Sequence, residues 1–199
     1  MAGYTPGPFF TLDLALPYLK TTIPILFIVW AADHSLNGMG FSRPRWKVDL
    51  PVAGALVLFV VLDAMSYRMI PRDLLRHWDG GRVRTSMDLL LYRGVSFWML
   101  VPMIATGVFL EEVLFRGYLI SRLRELLGNY WAPILISSVM FGFWHWYQGP
   151  LGMVYALGFG LATATCFAVT GKIWPALIVH FAYDAFLFYS SYVYLHRNG

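Results

Sequence analysis

Charged residues are too scarce in this chain to cover a surface that faces water. Asp, Glu, Lys and Arg make up 13% of the 199 residues, whereas hydrophobic residues make up 58%. An ordinary soluble domain carries about 25% charged and about 45–50% apolar residues. The composition therefore argues against a soluble, disordered or fibrous chain. It also argues against a nucleic-acid-binding protein, despite the net charge of +4. The solvent of this protein is predicted to be a lipid bilayer.

Six apolar runs are long enough for helices that cross a bilayer, which need about 20 residues. They lie at 14–32, 50–70, 89–127, 131–147, 151–170 and 173–195. The third run is about twice the required length. It is either one long helix that leaves the membrane or two helices broken near Pro102–Gly107, and we expect the break. The sequence thus predicts an all-α, polytopic membrane helix bundle of six to seven transmembrane helices. We expect a single integral-membrane domain over 1–199.

Small residues recur every fourth position in the fifth run. They are Gly152, Ala156, Gly160, Ala164 and Ala168. Small side chains at this period allow the backbones of membrane helices to approach each other closely. We interpret the stripe as a helix-packing surface.

Three short polar clusters interrupt the apolar runs. They are Glu-Glu-Val-Leu-Phe-Arg at 111–116, Phe-Gly-Phe-Trp-His at 141–145 and His-Phe-Ala-Tyr-Asp at 180–184. Ionisable residues are costly inside a membrane, and by default they mark a functional site that faces the protein interior. In each cluster two polar or aromatic residues are four positions apart, which places them on one face of a helix.

The two adjacent glutamates are expected to have different roles. Glu112 precedes Arg116 by four residues, which is the favourable order for an ion pair along a helix. Glu111 points about 100° away and has no counter-charge nearby in the sequence. It is therefore a candidate general base. Alternatively, both glutamates pair with arginines such as Arg93 or Arg122 and serve only in packing.

The two histidines also allow structural interpretations. His145, between Trp144 and Trp146, suits a hydrogen-bonded residue in an interfacial belt of aromatic side chains. Asp184 lies one turn after His180 and could fix the tautomer of that imidazole. The functional interpretation depends on the convergence of all three clusters in one cavity.

Together the clusters resemble the motifs of the CPBP family (CAAX protease and bacteriocin-processing, also called Abi), which includes the type II CAAX prenyl endopeptidases. The motifs E-E-x-x-x-R, F-x-x-x-H and H-x-x-x-N/D occur in this order within 108–184. The resemblance implies an all-α intramembrane endopeptidase whose site lies in a cavity within the bilayer.

Specific roles follow from the resemblance. Glu111 would activate the hydrolytic water, and Glu112, Arg116 and Phe141 would support the site. His145 and His180 would line the cavity, orient the water and stabilise the tetrahedral oxyanion. Asp184 stands where the family often has asparagine. An ionised carboxylate cannot donate a hydrogen bond to an oxyanion, so Asp184 is expected to orient His180 or to stay protonated.

The same residues are compatible with two mechanisms. Glu111, His145 and His180 would form a zinc set with an open position for water. However, the spacing H-E-x-x-H is absent, and the resemblance also implies a metal-independent glutamate mechanism. We therefore expect an intramembrane protease of the glutamate type without a cofactor.

The expected partners are the bilayer and a membrane-associated protein or peptide substrate, with no nucleic acid. The substrate could be a lipid-modified C-terminus, a peptide leader or the C-terminal anchor of a surface protein. The resemblance implies a multi-pass protein of a bacterial or archaeal inner membrane. Two rival functions remain at this point. One is a non-catalytic immunity or partner-binding protein of the same fold, and the other is a small proton-coupled transporter.

Overall fold

The computed structural model describes residues 10–33, 35–71 and 96–198, and within these ranges all regular structure is helical. The α-helices are α1 (Phe10–Asp33), α2 (Trp46–Met69), α3 (Phe97–Glu111), α4 (Ser121–Leu127), α5 (Trp131–Trp144), α6 (Gly149–Thr170) and α7 (Trp174–Asn198). A π-helix at Glu112–Ile120 joins α3 to α4 without interruption. Short 3₁₀ turns lie at Asn37–Met39 and Trp146–Gln148. The prediction of an all-α bundle is confirmed.

Length, composition and exposed side chains identify the bundle as a membrane protein. Three segments in the described part of the chain are long and apolar enough to cross a bilayer, at Ala15–Ala32, Phe97–Leu127 and Trp146–Thr170. Large apolar side chains are exposed on α1 and α2, among them Phe27, Ile28, Leu58 and Leu62. Soluble monomers rarely expose such contiguous apolar faces, whereas lipid tails cover them without cost.

The predicted break between Pro102 and Gly107 is wrong. Helical structure is continuous over Phe97–Leu127. Thr106 donates a side-chain hydrogen bond to the Pro102 carbonyl at 2.8 Å. Gly107 leaves room for the ring of Tyr18 on α1, which would lie 3.4 Å from a Cβ at this position. Neighbouring helices and hydroxyl side chains commonly stabilise proline in membrane helices. The start of this predicted run and the charged segment before it, 72–95, lie outside the described residues.

Helix α5 is shorter than the predicted span at 131–147. It has 14 residues and ends at Trp144, so it is about 21 Å long and does not cross a hydrocarbon core of about 30 Å. Gly128, with φ of 66°, ends α4 and turns the chain back. α5 then packs along the π-helix, where Ser137 donates a hydrogen bond to the Phe115 carbonyl at 2.8 Å.

The small-residue stripe of α6 packs against α5. A Cβ at Gly160 would lie 3.3 Å from Ser138 Cα and 3.2 Å from Phe141 Cδ1. From the opposite side, a Cβ at Gly142 of α5 would lie 3.1 Å from Leu157 Cβ. The two backbones therefore approach so closely that only glycine fits these positions without movement of a neighbour.

We expect Gly160→Ala to destabilise the protein by about 1–3 kcal/mol, because overpacking forces α5 and the Phe141 ring to move. Gly158→Ala is the matched control, since a Cβ there would meet nothing within 4 Å. The control should be neutral or stabilising by about 0.5–1 kcal/mol, through helix propensity. Thermal unfolding in detergent micelles measures both. Equal stability of the two variants would contradict the close approach of the helices.

Helix α7 crosses α3 and carries the third polar cluster to the centre of the bundle. Phe97, Leu100, Ile104 and Val108 form a buried face of α3 with helical spacing. Phe181, Ala185 and Phe188 of α7 pack against this face. This contact brings the side chain of His180 to the point where α3 becomes the π-helix.

Candidate active site

Glu111 and Glu112 lie at the junction between two kinds of helix. Glu111 is the last residue of α3, and Glu112 is the first residue of the π-helix. The spacing of the residues predicts α-helix on both sides, so the π-helix was not expected from the sequence. Most π-helices are single-turn segments inside α-helices, and they occur frequently at functional sites.

Glu112 and Arg116 form the ion pair that their spacing predicts. Arg116 Nη1 lies 3.2 Å from Glu112 Oε1, and both side chains are fully buried. The guanidinium also donates a hydrogen bond to the Thr163 hydroxyl of α6 and stacks 4.2 Å above the Phe141 ring of α5. Arg116 therefore connects three helices in the interior of the bundle. Thr163 carried no sequence signal, because its contact with Arg116 is not local.

His180 lies between the two glutamates. Its Nδ1 is 2.7 Å from Glu112 Oε1. A carboxylate that is paired with a guanidinium is ionised and can only accept, so Nδ1–H is the donor. Nε2 is left on the other side of the ring, 3.7 Å from Glu111 Oε2. Glu112 is thus hydrogen-bonded to one nitrogen of the imidazole, and Glu111 lies near the other nitrogen but beyond hydrogen-bond distance.

Asp184 lies near the nitrogen of His180 that is opposite to the one bonded by Glu112. Asp184 Oδ2 lies 3.8 Å from His180 Nε2, which is beyond hydrogen-bond distance. The group that fixes the His180 tautomer in the structure is Glu112, at the opposite nitrogen. Asp184 instead adds a second carboxylate on the Nε2 side, together with Glu111.

His145 follows α5 instead of lying on one of its faces. It occupies the C-cap position with φ of −92° and ψ of 19°, and its Nδ1 lies 2.9 Å from the Phe141 carbonyl oxygen. A carbonyl only accepts, so Nδ1–H donates here as well. The four-residue spacing of F-x-x-x-H therefore corresponds to a hydrogen bond from the ring to the backbone.

Phe141 is a common neighbour of Arg116, His145 and His180. Its side chain is buried, and its ring centroid lies 4.6 Å from that of His145 and 6.0 Å from that of His180. Arg116 stacks on the same ring. The structure therefore brings all three clusters together around one aromatic side chain. The convergence expected from the sequence was in one cavity, and contact with Phe141 does not by itself establish it.

A cavity of about 750 Å³ opens beside Glu111. The other residues of its wall are mostly aromatic or aliphatic, and they come from α1, the π-helix, α5 and the turn that follows α5. They are Tyr18, Leu114, Phe115, Tyr118, Leu119, Met140, Phe143, Trp144, Trp146 and Tyr147. His145, His180 and Asp184 are not part of this wall. Of the predicted site residues, Glu111 is thus the one that faces the cavity directly.

The zinc set considered from the sequence, Glu111, His145 and His180, stays a prediction. In the described part of the chain, no group of three or more His, Cys, Asp or Glu side chains is arranged to hold a metal ion. The Nδ1 atoms of His145 and His180 are already bonded to protein acceptors. Glu112 is bonded to Arg116 and His180.

The part of the chain that contains these residues is similar to a known protein family. Neither the curated proteins nor the solved structures include a match to the chain. Residues 93–186, which include all three polar clusters, match the family model described as "Type II CAAX prenyl endopeptidase Rce1-like". Over this segment the chain is therefore similar to a family of membrane proteases, in agreement with the resemblance of its motifs.

Proposed function

We propose that the protein is an intramembrane endopeptidase that hydrolyses a peptide bond in a membrane-associated protein or peptide. The observation that carries this proposal is the position of Glu111. Its carboxylate lies in the wall of a cavity of about 750 Å³ and 3.7 Å from His180 Nε2. A carboxylate beside an imidazole, at the edge of a space that can hold a substrate, suits the activation of water. The family match over 93–186 supports the same reaction class.

In the proposed reaction Glu111 is the general base. Water attacks the carbonyl carbon of the scissile peptide bond, its proton passes to the Glu111 carboxylate, and the carbonyl electron pair moves onto oxygen. When the tetrahedral intermediate collapses, the C=O bond forms again and the C–N bond breaks. Glu111 then returns the proton to the leaving nitrogen. His180 Nε2 accepts a hydrogen bond from the water and orients it, and His145 assists from the other side of Phe141.

Glu112 and Arg116 are positioning residues in this proposal. Glu112 holds Nδ1 of His180 at 2.7 Å, so that Nε2 is turned towards Glu111. Arg116 neutralises Glu112 and anchors it to the Phe141 ring and to Thr163. Such supporting contacts keep a catalytic group within a few tenths of an ångström of its productive position.

The cavity wall favours a substrate with an apolar segment next to the scissile bond. Apart from Glu111, the wall consists of aromatic and aliphatic side chains, which bind hydrophobic ligand surface. A lipid-modified C-terminus, a peptide leader or a C-terminal membrane anchor has this property. We further propose that the protein resides in a bacterial or archaeal inner membrane.

The test of this function is proteolysis by the purified full chain in liposomes, in water enriched in ¹⁸O. Three probes are compared: a peptide that ends in farnesyl-cysteine and three further residues, a leader peptide, and a peptide with a C-terminal apolar anchor. Mass spectrometry should find one ¹⁸O atom in the new carboxylate of a cleaved probe. If none of the probes acquires the label, the proposed hydrolysis is wrong, and the non-catalytic alternative is favoured.

We expect cleavage to continue after divalent metals are removed. The proposed water activation uses a carboxylate and an imidazole and needs no Lewis acid. The protein is incubated with EDTA, transferred to metal-free buffer and assayed on the cleaved probe, with and without added Zn²⁺. The rate should be the same in both samples. Loss of activity that Zn²⁺ restores would contradict the glutamate mechanism.

A further inference from the structure

The proposed hydrolysis needs a group that donates hydrogen bonds to the developing oxyanion. Such donors usually make a large contribution to the rate of acyl transfer. Three polar side chains of the site, those of Asp184, His145 and His180, cannot donate a hydrogen bond to the oxyanion. Asp184, when ionised, only accepts. His145 and His180 direct their Nδ1–H groups at Phe141 and Glu112, so each neutral ring leaves only the acceptor Nε2.

The cavity wall that contains Glu111 also contains neutral hydrogen-bond donors, among them the hydroxyls of Tyr18 and Tyr147. Tyr18, on α1, is packed over Gly107, with ring atoms 3.4 and 3.5 Å from the position of a Cβ there. Gly107 precedes Glu111 by four residues, so both lie on one face of α3. Helical side chains lean towards the N-terminus of their helix. Glu111 therefore leans towards the level of the Tyr18 ring.

Tyr147 approaches the same place from the turn that follows α5. Its ring centroid lies 5.9 Å from that of His145. Its hydroxyl oxygen accepts a hydrogen bond from Gln148 Nε2 at 3.3 Å, which leaves its own proton available for donation. Tyr18, Tyr147 and Glu111 line the same cavity. Both hydroxyls therefore belong to the space in which the general base acts.

We propose that Tyr18 and Tyr147 donate hydrogen bonds to the oxyanion of the tetrahedral intermediate. This inference rests on the proposed hydrolysis. It assigns to the two tyrosines the donation of hydrogen bonds to the oxyanion, which Asp184 cannot perform as a carboxylate. While the carbonyl electron pair resides on oxygen, both phenolic O–H groups point at it and keep their protons. When the C–N bond breaks, the electron pair on oxygen forms the C=O bond again, the leaving nitrogen takes the proton from Glu111, and the two hydrogen bonds weaken. Tyr18 lies outside the segment that matches the protease family, so α1 completes the site.

The experiment compares Tyr18→Phe, Tyr147→Phe and the double variant on the cleaved probe, in liposomes. These changes remove the hydroxyls and keep the rings that form the cavity wall. Each single variant should lower kcat about 10²-fold with KM unchanged, because an oxyanion donor acts in the transition state. Tyr130→Phe is the control, since Tyr130 stacks under Arg124 away from the cavity. Its kcat should equal that of the unmodified protein.

A second measurement separates catalysis from structure. A peptidyl phosphonate with the sequence of the cleaved probe imitates the tetrahedral intermediate. Its affinity should fall in the tyrosine variants by the same factor as kcat/KM, while the thermal unfolding temperature stays constant. A double variant with normal kcat and normal phosphonate affinity would overturn the assignment.

Glu111→Gln is assayed in parallel, to separate the role of the tyrosines from the proposed hydrolysis. If Glu111→Gln is inactive while the double variant is fully active, only the role of the tyrosines is wrong. If Glu111→Gln is fully active, the proposed hydrolytic mechanism itself is wrong.

Discussion

Replacing Glu111 by Gln is expected to abolish measurable turnover and to leave the fold intact. The amide is nearly isosteric but cannot take a proton from water. Loss of a general base lowers rates by about 10²- to 10⁴-fold. KM should not change, because the substrate contacts the apolar cavity wall in the same way in both proteins. The measurement is kcat on the cleaved probe, together with the unfolding temperature.

Two further glutamates make this experiment specific. Glu125→Gln carries the same substitution on an exposed side chain of α4 that pairs with Arg122, and it should behave as the unmodified protein. Glu112→Gln should lose stability as well as activity, because this buried carboxylate binds both Arg116 and His180. A Glu111→Gln protein that cleaves at the normal rate would exclude the proposed mechanism.

Replacing Arg116 by Met should destabilise the folded protein by about 3–5 kcal/mol, because removal of one partner leaves the other charge buried and uncompensated. Here the remaining charge is that of Glu112, which is fully buried. The matched control is Arg122→Met, in which the lost partner is Glu125. Both side chains of this pair are accessible to solvent, at 33% and 61%, so its loss should cost about 0–1 kcal/mol. Unfolding by denaturant in micelles measures both variants.

A double-mutant cycle identifies the source of the Arg116 effect. Glu112→Gln in the Arg116→Met background removes the orphaned charge and should recover part of the lost stability. Arg116→Lys should recover less than the original arginine, because an ammonium group lacks the planar guanidinium that stacks on Phe141 and reaches Thr163. If Arg116→Met costs no more than Arg122→Met, the buried pair does not stabilise the bundle.

The features that the sequence predicted correctly depend on composition and on local spacing. Scarce charge and apolar runs predict a helical membrane bundle, since a bilayer leaves few alternatives for a chain of this kind. The Glu112–Arg116 pair follows from helical periodicity, and the stripe through Gly160 follows from the period of its small residues. In each case the relevant residues are neighbours in the chain or on one helix face.

The incorrect predictions concern the positions at which helices end. Pro102 and Gly107 were expected to end a helix, but helical structure is continuous through both, and the Tyr18 ring packs over Gly107. The span at 131–147 was expected to extend through His145, but α5 ends at Trp144 and His145 caps it. The contact of the Tyr18 ring with Gly107 comes from another helix, so sequence spacing does not reveal it.

The sequence by itself determined the solvent of this protein, its helical class and the short list of polar residues on which function can depend. Only the tertiary structure decided how these residues are connected. Glu112 orients His180 across 68 positions of chain, Phe141 lies between both histidines, and Tyr18 of α1 reaches the cavity beside Glu111. The physical reason is that periodicity specifies the face of a helix on which a side chain lies. The partner of that face is specified only when the helices pack.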